Sequence, residues 1–243
     1  MSRRHLRPAV GEGLRTLVLA GIPVGVLVAG VGSRLCMLLL RATSGDEVRG
    51  IRSDDGFEIG RFTVGGTYNL LALGATIGII GAAAYQWVRP WLLGPRWLRY
   101  LTVAAAAGAV VGALLVHSDG VDFTVLTPTW LTVGSFVVLP ALFGAAIGPA
   151  VEAVEAHATR NGPDRPSPVA PIVLVALFPP TLVVLAVAAI VLLAWTAVRD
   201  HPPVNRAAHA PLTGIAARAV WLIVAIAGAD ALVQDINQLN RTT

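Results

Sequence analysis

The sequence predicts an all-α protein, a single polytopic bundle of about six transmembrane helices. Two observations support this prediction. The 243 residues are 55% hydrophobic and only 13% charged, whereas soluble proteins have about 25% charged residues. The apolar residues are also gathered into separate runs of about 20 residues or more, the length that crosses the hydrocarbon core of a bilayer. These runs leave no stretch long enough for a soluble domain, so the predicted organisation is one transmembrane domain over residues 1–243.

Six runs are long enough to span a membrane, and each is apolar around its whole circumference rather than along one stripe. They cover residues 16–40, 68–88, 97–116, 130–151, 171–198 and 211–233. The sixth is the weakest, because Arg218 and Asp230 lie inside it. In the fifth, Pro179 and Pro180 remove two backbone N–H groups near the middle, so we expect a kink in that helix.

The segment between the first two spans, residues 41–66, is the longest one outside the predicted helices. Asp55-Gly56 is a favoured hairpin turn, and the apolar residues around it alternate imperfectly. We therefore expect a short β-hairpin on the outer membrane surface, or more simply a cap over the helix ends. The candidate residues for outer-loop contacts are Asp54, Asp55, Arg52 and Arg61.

The distribution of arginine predicts the orientation, because short cytoplasmic loops are enriched in basic residues. With six spans and a cytoplasmic N-terminus, ten arginines lie in inner segments and six in outer segments. Both termini are then cytoplasmic, and the predicted location is the plasma membrane. The 41–66 loop runs against the rule, since it carries four of the outer arginines.

Ionisable residues in or near apolar spans are the first place to look for function. Four are candidates: Asp230, Arg34, Arg218 and Asp235. In a six-span bundle Arg34 lies near the outer face, about 28 Å along the first helix from Arg15. Asp230 lies near the inner face, so these two residues are not expected to pair. Asp230 is our candidate for a functional carboxylate, such as a proton or cation relay, and a charge that snorkels to the interface is the plainer interpretation.

The sequence carries no recognisable catalytic constellation, so we predict no catalytic residue, no metal site and no cofactor. Cys36 is the single cysteine, the histidines lie in tails, loops or helix ends, and HExxH and phosphate-binding glycine loops are absent. The stretch from Ser33 to Asp46 resembles the signature of lipid-phosphate phosphatases, but Leu40 stands where the nucleophilic histidine is needed. The stretch EAVEAH, Glu152 to His157, is interpreted as the solvated end of a helix.

Pairs of glycines four residues apart recur within the spans and would let helix backbones approach closely. These pairs are Gly21/Gly25, Gly74/Gly78, Gly108/Gly112 and Gly144/Gly148. Several are expected by chance in a chain so rich in glycine and alanine. They predict a compact bundle and give no information about dimers.

Three stretches, residues 30–44, 51–70 and 88–101, look like a group of uncharacterised multi-span membrane proteins from actinobacteria. The resemblance covers roughly the first 155 residues, and DDGFEIGRFT is its most distinctive part. The resemblance implies a membrane location and a topology. It implies no activity and no catalytic residues.

Three functional classes stay open. A structural or accessory membrane protein that binds partners best fits the missing catalytic constellation, so an enzyme is not favoured. A small solute or ion transporter, or a channel component, is the alternative that Pro179-Pro180 and Asp230 favour. A membrane enzyme that acts on lipid headgroups is the least favoured. The expected partners are the lipid bilayer and other membrane proteins but not nucleic acid, because the arginines are scattered among hydrophobic runs.

Overall fold

The computed structural model describes residues 6–45, 48, 50–51, 63–117, 120–160, 168–198 and 211–242. Within these ranges all regular secondary structure is helical. In chain order the helices are α1 (6–43), α2 (Val64–Val88), α3 (Arg96–Leu115), α4 (Val121–Val125), α5 (Thr129–Arg160), α6 (Val169–Leu177), α7 (Thr181–Val198) and α8 (Pro211–Thr242). A short 3-10 turn, Arg89–Trp91, follows α2.

Five helices are long and apolar enough to cross a membrane. Their apolar stretches are Val10–Thr43, Val64–Trp91, Arg96–Leu115, Thr129–Arg160 and Thr213–Leu239. These stretches overlap the first four predicted spans and the sixth. Each of the five extends past a predicted bound at one end or both, because helical hydrogen bonds continue into polar residues that a hydropathy criterion leaves out.

Helix α1 is continuous but irregular. Two π-helical stretches, Leu17–Gly21 and Gly25–Val31, flank the three α-helical residues Ile22–Val24. Pro23 has no N–H to donate, and its ring crowds the carbonyl one turn earlier, so the hydrogen bonds near it shift to later donors and widen the helix. The helix nevertheless continues to Thr43.

Helices α1 and α2 run antiparallel and contact each other through glycines. Gly21 faces Gly78, and Gly25 lies against Gly74 and Gly78. A Cβ atom on Gly78 would lie only 1.9 Å from the carbonyl oxygen of Gly21. The close backbone approach predicted from the glycine spacing is therefore present at this contact, and only glycine permits it.

The other two glycine pairs lie where α3 packs against α5. Gly108 of α3 contacts Val137 and Ala141, and Gly144 of α5 contacts the backbone of Val103 and Ala104. Residues late in α3 thus meet residues early in α5. The two helices are antiparallel.

Helices α2 and α5 run in the same direction, which defines two ends of the bundle. Gly81 faces Phe143, and one turn later Tyr85 bonds to Glu152.

We call the end of the bundle where α2 gives way to α3, at Arg89, Arg96 and Arg99, the arginine end. The opposite end, where residues 43–64 and 115–129 join the helices, is the loop end.

The main core lies between α1, α2 and α5, in the half of the bundle near the arginine end. Its fully buried side chains include Leu17, Ile79, Tyr85, Ile147 and Val151. Tyr85 is only 1% exposed. Its position is therefore fixed by packing.

The predicted fifth span, 171–198, is two helices rather than one. Helix α6 ends at Leu177, and α7 begins at Thr181 after a turn at Pro179-Pro180. Neither proline donates a backbone hydrogen bond, so an α-helix cannot run regularly through both.

Contacts at the two ends of α6 and α7 show that these helices form a hairpin. Helix α6 packs against Leu17–Gly21, in the half of α1 near the arginine end. The carbonyl of Leu177, its last residue, accepts a 3.1 Å hydrogen bond from Tyr68 near the loop end. Helix α7 then returns, and Leu192 packs against Gly13 at the arginine end. Both outer ends of the hairpin therefore lie toward the arginine end.

Helix α8 runs from the arginine end to the loop end. Near its start the Arg218 Nε donates to the Trp91 carbonyl at 3.2 Å, and near its finish Leu239 is buried in a cluster with Val116. The described starts of α1 and α8 lie at the same end, so α1 and α8 run in the same direction. Six continuous spans predicted opposite directions for the first and last helices. The hairpin accounts for the difference, because it reverses the chain without crossing the bundle.

The predicted outer β-hairpin lies largely outside the described residues. Of residues 41–66, the structure describes 41–45, 48, 50–51 and 63–66, and these contain no strand. The outer-loop candidates Arg52, Asp54, Asp55 and Arg61 also lie outside the described residues.

Candidate functional site

A polar network at the arginine end is built around Glu152 of α5. The Tyr85 hydroxyl donates to its Oε1 at 2.7 Å, and the Tyr100 hydroxyl donates to its Oε2 at 2.8 Å. The Arg96 Nε lies 3.5 Å from the same Oε2. Hydrogen bonds to a charged acceptor are about twice as strong as neutral ones. One carboxylate therefore ties α2 and α3 to α5.

Glu155 makes a second set of contacts one turn further along α5. Its carboxylate forms a salt bridge with Arg89 and accepts a 3.3 Å hydrogen bond from the Gln86 amide. Residues three apart on a helix share a face, so Glu152 and Glu155 both point toward α2. Because α2 and α5 run in the same direction, Glu152 meets Tyr85 and, one turn further along both helices, Glu155 meets Arg89.

An open recess of about 520 Å³ lies beside this network. It is lined by Arg89, Pro90, Arg96, Arg99, Glu152, Glu155, Ala156 and Thr159. Three guanidinium groups face two carboxylates, so the recess carries one excess positive charge. The Arg96 side chain is 81% exposed, and the Arg99 Nε is anchored by a 2.9 Å bond to the Gly94 carbonyl.

Exposed tryptophans lie in the same segments of the chain as the residues that line the recess. Trp87 is 71% exposed and meets Trp91 edge to face, with ring centroids 5.6 Å apart. Trp97 is also exposed, at the first turn of α3. Tryptophan concentrates at the boundary between lipid and water, where its ring is apolar and its N–H is wet. The side chains around the recess are therefore those of a membrane interface.

The sequence-based interpretation of EAVEAH as a solvated helix end does not describe Glu152. Its side chain is only 22% exposed and is held by two tyrosines and an arginine. Tyrosines are common at membrane interfaces and acidic residues at helix ends, so neither residue type marks a site by itself. The available signal was that both helices next to the 89–96 connection carry a tyrosine and an arginine four residues apart, Tyr85 with Arg89 and Arg96 with Tyr100.

The structure separates the ionisable residues singled out from the sequence. The Arg34 Nη2 donates to the Thr67 hydroxyl at 3.0 Å near the loop end. Arg218 bonds to the Trp91 carbonyl near the arginine end. Asp235 is half-buried on α8. The structure does not gather these residues into one site.

Asp230 lies in the loop half of the bundle, not near the arginine end as the six-span arrangement implied. The neighbouring Gly228 packs against Val110, late in α3, and the direction of α8 accounts for the difference. Asp230 is exposed, and its Oδ2 accepts a 2.8 Å hydrogen bond from Gln234, one turn further on.

In the described part of the chain, no group of three or more histidine, cysteine or acidic side chains is placed to hold a metal ion. No protein-family model matches the sequence, and comparison with curated proteins and with solved structures finds no significant similarity. The case for a function therefore depends on this chain's own residues.

Proposed function

We propose that this chain is an accessory integral membrane protein, and that the face of α8 bearing Asp230 and Gln234 binds a transmembrane helix of a partner protein. The observation that carries this proposal is the Asp230–Gln234 pair, exposed on the least covered of the five long apolar helices.

Of the five long apolar helices, α8 has the most surface left for a partner. Only 6% of its most apolar window is buried inside the protein, against 22–44% for the other four long apolar helices. Ile223 and Ile226 are 64% and 65% exposed. A helix that contributes this little to its own bundle has most of its circumference open to lipid or to another protein.

The Asp230–Gln234 pair favours a protein over lipid as the neighbour of this face. Asp230 lies in the loop half of α8 but inside its apolar stretch Thr213–Leu239, where a carboxylate is costly to leave in lipid. The single bond from Gln234 leaves carboxylate and amide groups to satisfy. Lipid tails offer no donors or acceptors. Polar side chains on a neighbouring helix offer both, and each hydrogen bond between membrane helices contributes about 0.6–2 kcal/mol to their association.

We also propose a topology with five crossings for this bundle. In it α1, α2, α3, α5 and α8 cross the membrane, and the α6–α7 hairpin enters and leaves on one side. With the arginine end in the cytoplasm, eleven arginines lie inside and five outside. The six-span arrangement gave ten and six, so the re-entrant hairpin agrees better with the positive-inside rule. The N-terminus is then cytoplasmic and the C-terminus lies on the opposite side.

Co-purification from native membranes in mild detergent, with quantitative mass spectrometry, tests the proposal. We expect one membrane protein to be enriched with the full-length chain and to fall about tenfold with the double variant Asp230→Leu/Gln234→Leu, since 1.4 kcal/mol corresponds to tenfold. The matched control Ile223→Leu/Ile226→Leu changes the same helix without removing polarity and should retain the partner.

Equal recovery of the partner with both double variants would overturn the proposal, as would the absence of any enriched membrane protein. Enrichment of a second copy of this chain would also overturn it, by placing self-association at this face instead.

A small solute or ion transporter is the second candidate, and the re-entrant hairpin favours it. Broken or re-entrant helices line the binding sites of many transporters. At this turn, however, the carbonyls of Leu177, Phe178 and Pro179 accept bonds from the protein itself, so these three oxygens do not form a ready ion site. Flux of protons or small cations into proteoliposomes that Asp230→Asn abolishes would favour transport over partner binding.

A further inference from the structure

We infer that the recess at the arginine end binds a phosphate group, presented as the headgroup of an anionic lipid in the adjoining leaflet. This inference concerns the opposite end of the bundle from Asp230 and does not depend on the partner-binding proposal.

The recess offers two guanidinium groups to an anion. Arg96 contacts Glu152 through Nε, and Arg99 is anchored to the Gly94 carbonyl through Nε. In both cases the anchored nitrogen orients the guanidinium and leaves its two terminal nitrogens for a ligand. Guanidinium groups match the oxygens of phosphate in a bidentate geometry.

The start of α3 adds backbone donors beside these arginines. Pro95 precedes the helix and supplies no side-chain cap. The N–H groups of Leu98 and Arg99 already bond to the Pro95 carbonyl. The N–H groups of Arg96 and Trp97 are the ones that helix geometry leaves without an intrahelical acceptor. Such groups favour phosphate.

The charge and size of the recess fit the same ligand. Three arginines against two glutamates leave one positive charge, which the single negative charge of a phosphodiester neutralises. The volume of about 520 Å³ lies within the roughly 300–1,000 Å³ of pockets that hold small ligands. Glu152, which Arg96 contacts, is held by the buried Tyr85.

The position of the recess selects a lipid as the source of the phosphate. Exposed Trp87 and Trp97 mark the membrane interface at this end, and lipid phosphates lie at that level. The recess is open, so a headgroup can enter from the side while its acyl chains stay along the apolar surface of the bundle.

The experiment uses the full-length protein in nanodiscs that contain phosphatidylglycerol, phosphatidylcholine or both, with retained lipids counted by native mass spectrometry. We expect selective retention of phosphatidylglycerol. We also expect its affinity to fall about tenfold in Arg96→Gln/Arg99→Gln. Arg99→Gln alone leaves the Glu152 network intact and should still lower the affinity several-fold, which separates loss of the site from loss of the fold. The matched control is Arg160→Gln, an exposed arginine at the same end but outside the recess.

Two results would overturn the inference: equal retention of the two lipids, or an equal loss of phosphatidylglycerol in Arg160→Gln and Arg99→Gln. The second result would show that diffuse positive charge, rather than the recess, attracts the lipid. Retention of phosphatidylglycerol is also measured with inorganic phosphate added at millimolar concentration, which distinguishes a lipid headgroup from a soluble phosphate as the ligand. If it displaces the lipid fully, a soluble phosphate is the ligand and the lipid assignment is wrong.

Discussion

Replacing Gly78 with alanine should weaken the bundle more than any other single methyl group added at a glycine of α2. The new Cβ would lie 1.9 Å from the Gly21 carbonyl oxygen and 2.7 Å from its carbon. Because a real Cβ does not approach closer than about 3.0 Å, α1 and α2 must separate by about 1 Å at their crossing. The neighbouring atoms are backbone, so no side chain can rotate to make room.

The cost follows from that separation. A gap of 0.5–1 Å already removes about a quarter to a half of each dispersion contact, and overpacking costs about 1–3 kcal/mol in well-packed proteins. We expect Gly78→Ala to lie at the upper end, lowering the free energy of unfolding by about 3 kcal/mol. Reversible unfolding in mixed micelles of increasing SDS content, followed by circular dichroism, measures this quantity.

The matched control is Gly134→Ala in α5, where nothing lies within 4 Å of the new Cβ. Alanine favours a helix over glycine by up to about 1 kcal/mol, so this variant should be unchanged or slightly more stable. If Gly78→Ala and Gly134→Ala unfold with the same free energy, the glycine contact between α1 and α2 is not as close as described.

Three further predictions address the network, the hairpin and the topology. Tyr100→Phe removes one donor to the Glu152 carboxylate and should lower the unfolding free energy by about 1 kcal/mol in the same SDS titration, and no change would mean the bond is not formed. Tyr68→Phe leaves the Leu177 carbonyl without its bond and should speed proteolysis near the α6–α7 turn, with Thr102→Val as a control that removes a hydroxyl elsewhere. In a cysteine-free background, a cysteine at position 243 should react with an impermeant maleimide from outside intact cells and one at position 201 only after permeabilisation. The reverse pattern, with position 201 labelled from outside and position 243 protected, is the six-span result and would contradict five crossings.

Much of the architecture could be predicted from composition alone. The five long apolar helices match five of the six predicted spans, because a bilayer imposes a length and a polarity on every crossing segment. The glycine spacing allowed close helix approach but did not say which helices meet, and the structure brings the pairs of α1 and α2 together.

The hairpin could not be predicted from composition. Residues 171–198 satisfy every criterion for a span, and Pro179-Pro180 indicated an interruption without giving the direction of the chain after it. That direction depends on contacts with Tyr68 and Gly13, more than 100 residues earlier in the sequence. The depth of Asp230 was misjudged for the same reason, because one missing crossing reverses every helix that follows.

The network around Glu152 was missed for a different reason. Its tyrosines lie 67 and 52 residues away in sequence, and each member has an ordinary interpretation at a membrane surface. Only the shared direction of α2 and α5, together with the return of α3 between them, places the hydroxyls on one carboxylate.

The hairpin also has a consequence for how the chain is assembled in the membrane. Helix α6 has nine residues, about 13.5 Å at 1.5 Å per residue, which is less than half of a roughly 30 Å hydrocarbon core. It therefore cannot cross on its own, and the hairpin rests on protein surfaces along one side while its turn stays exposed. Those surfaces belong to α1 and α2, which are synthesised first. The order of elements along the chain thus matches the order in which they are needed: the receiving helices are made before the segment that rests on them.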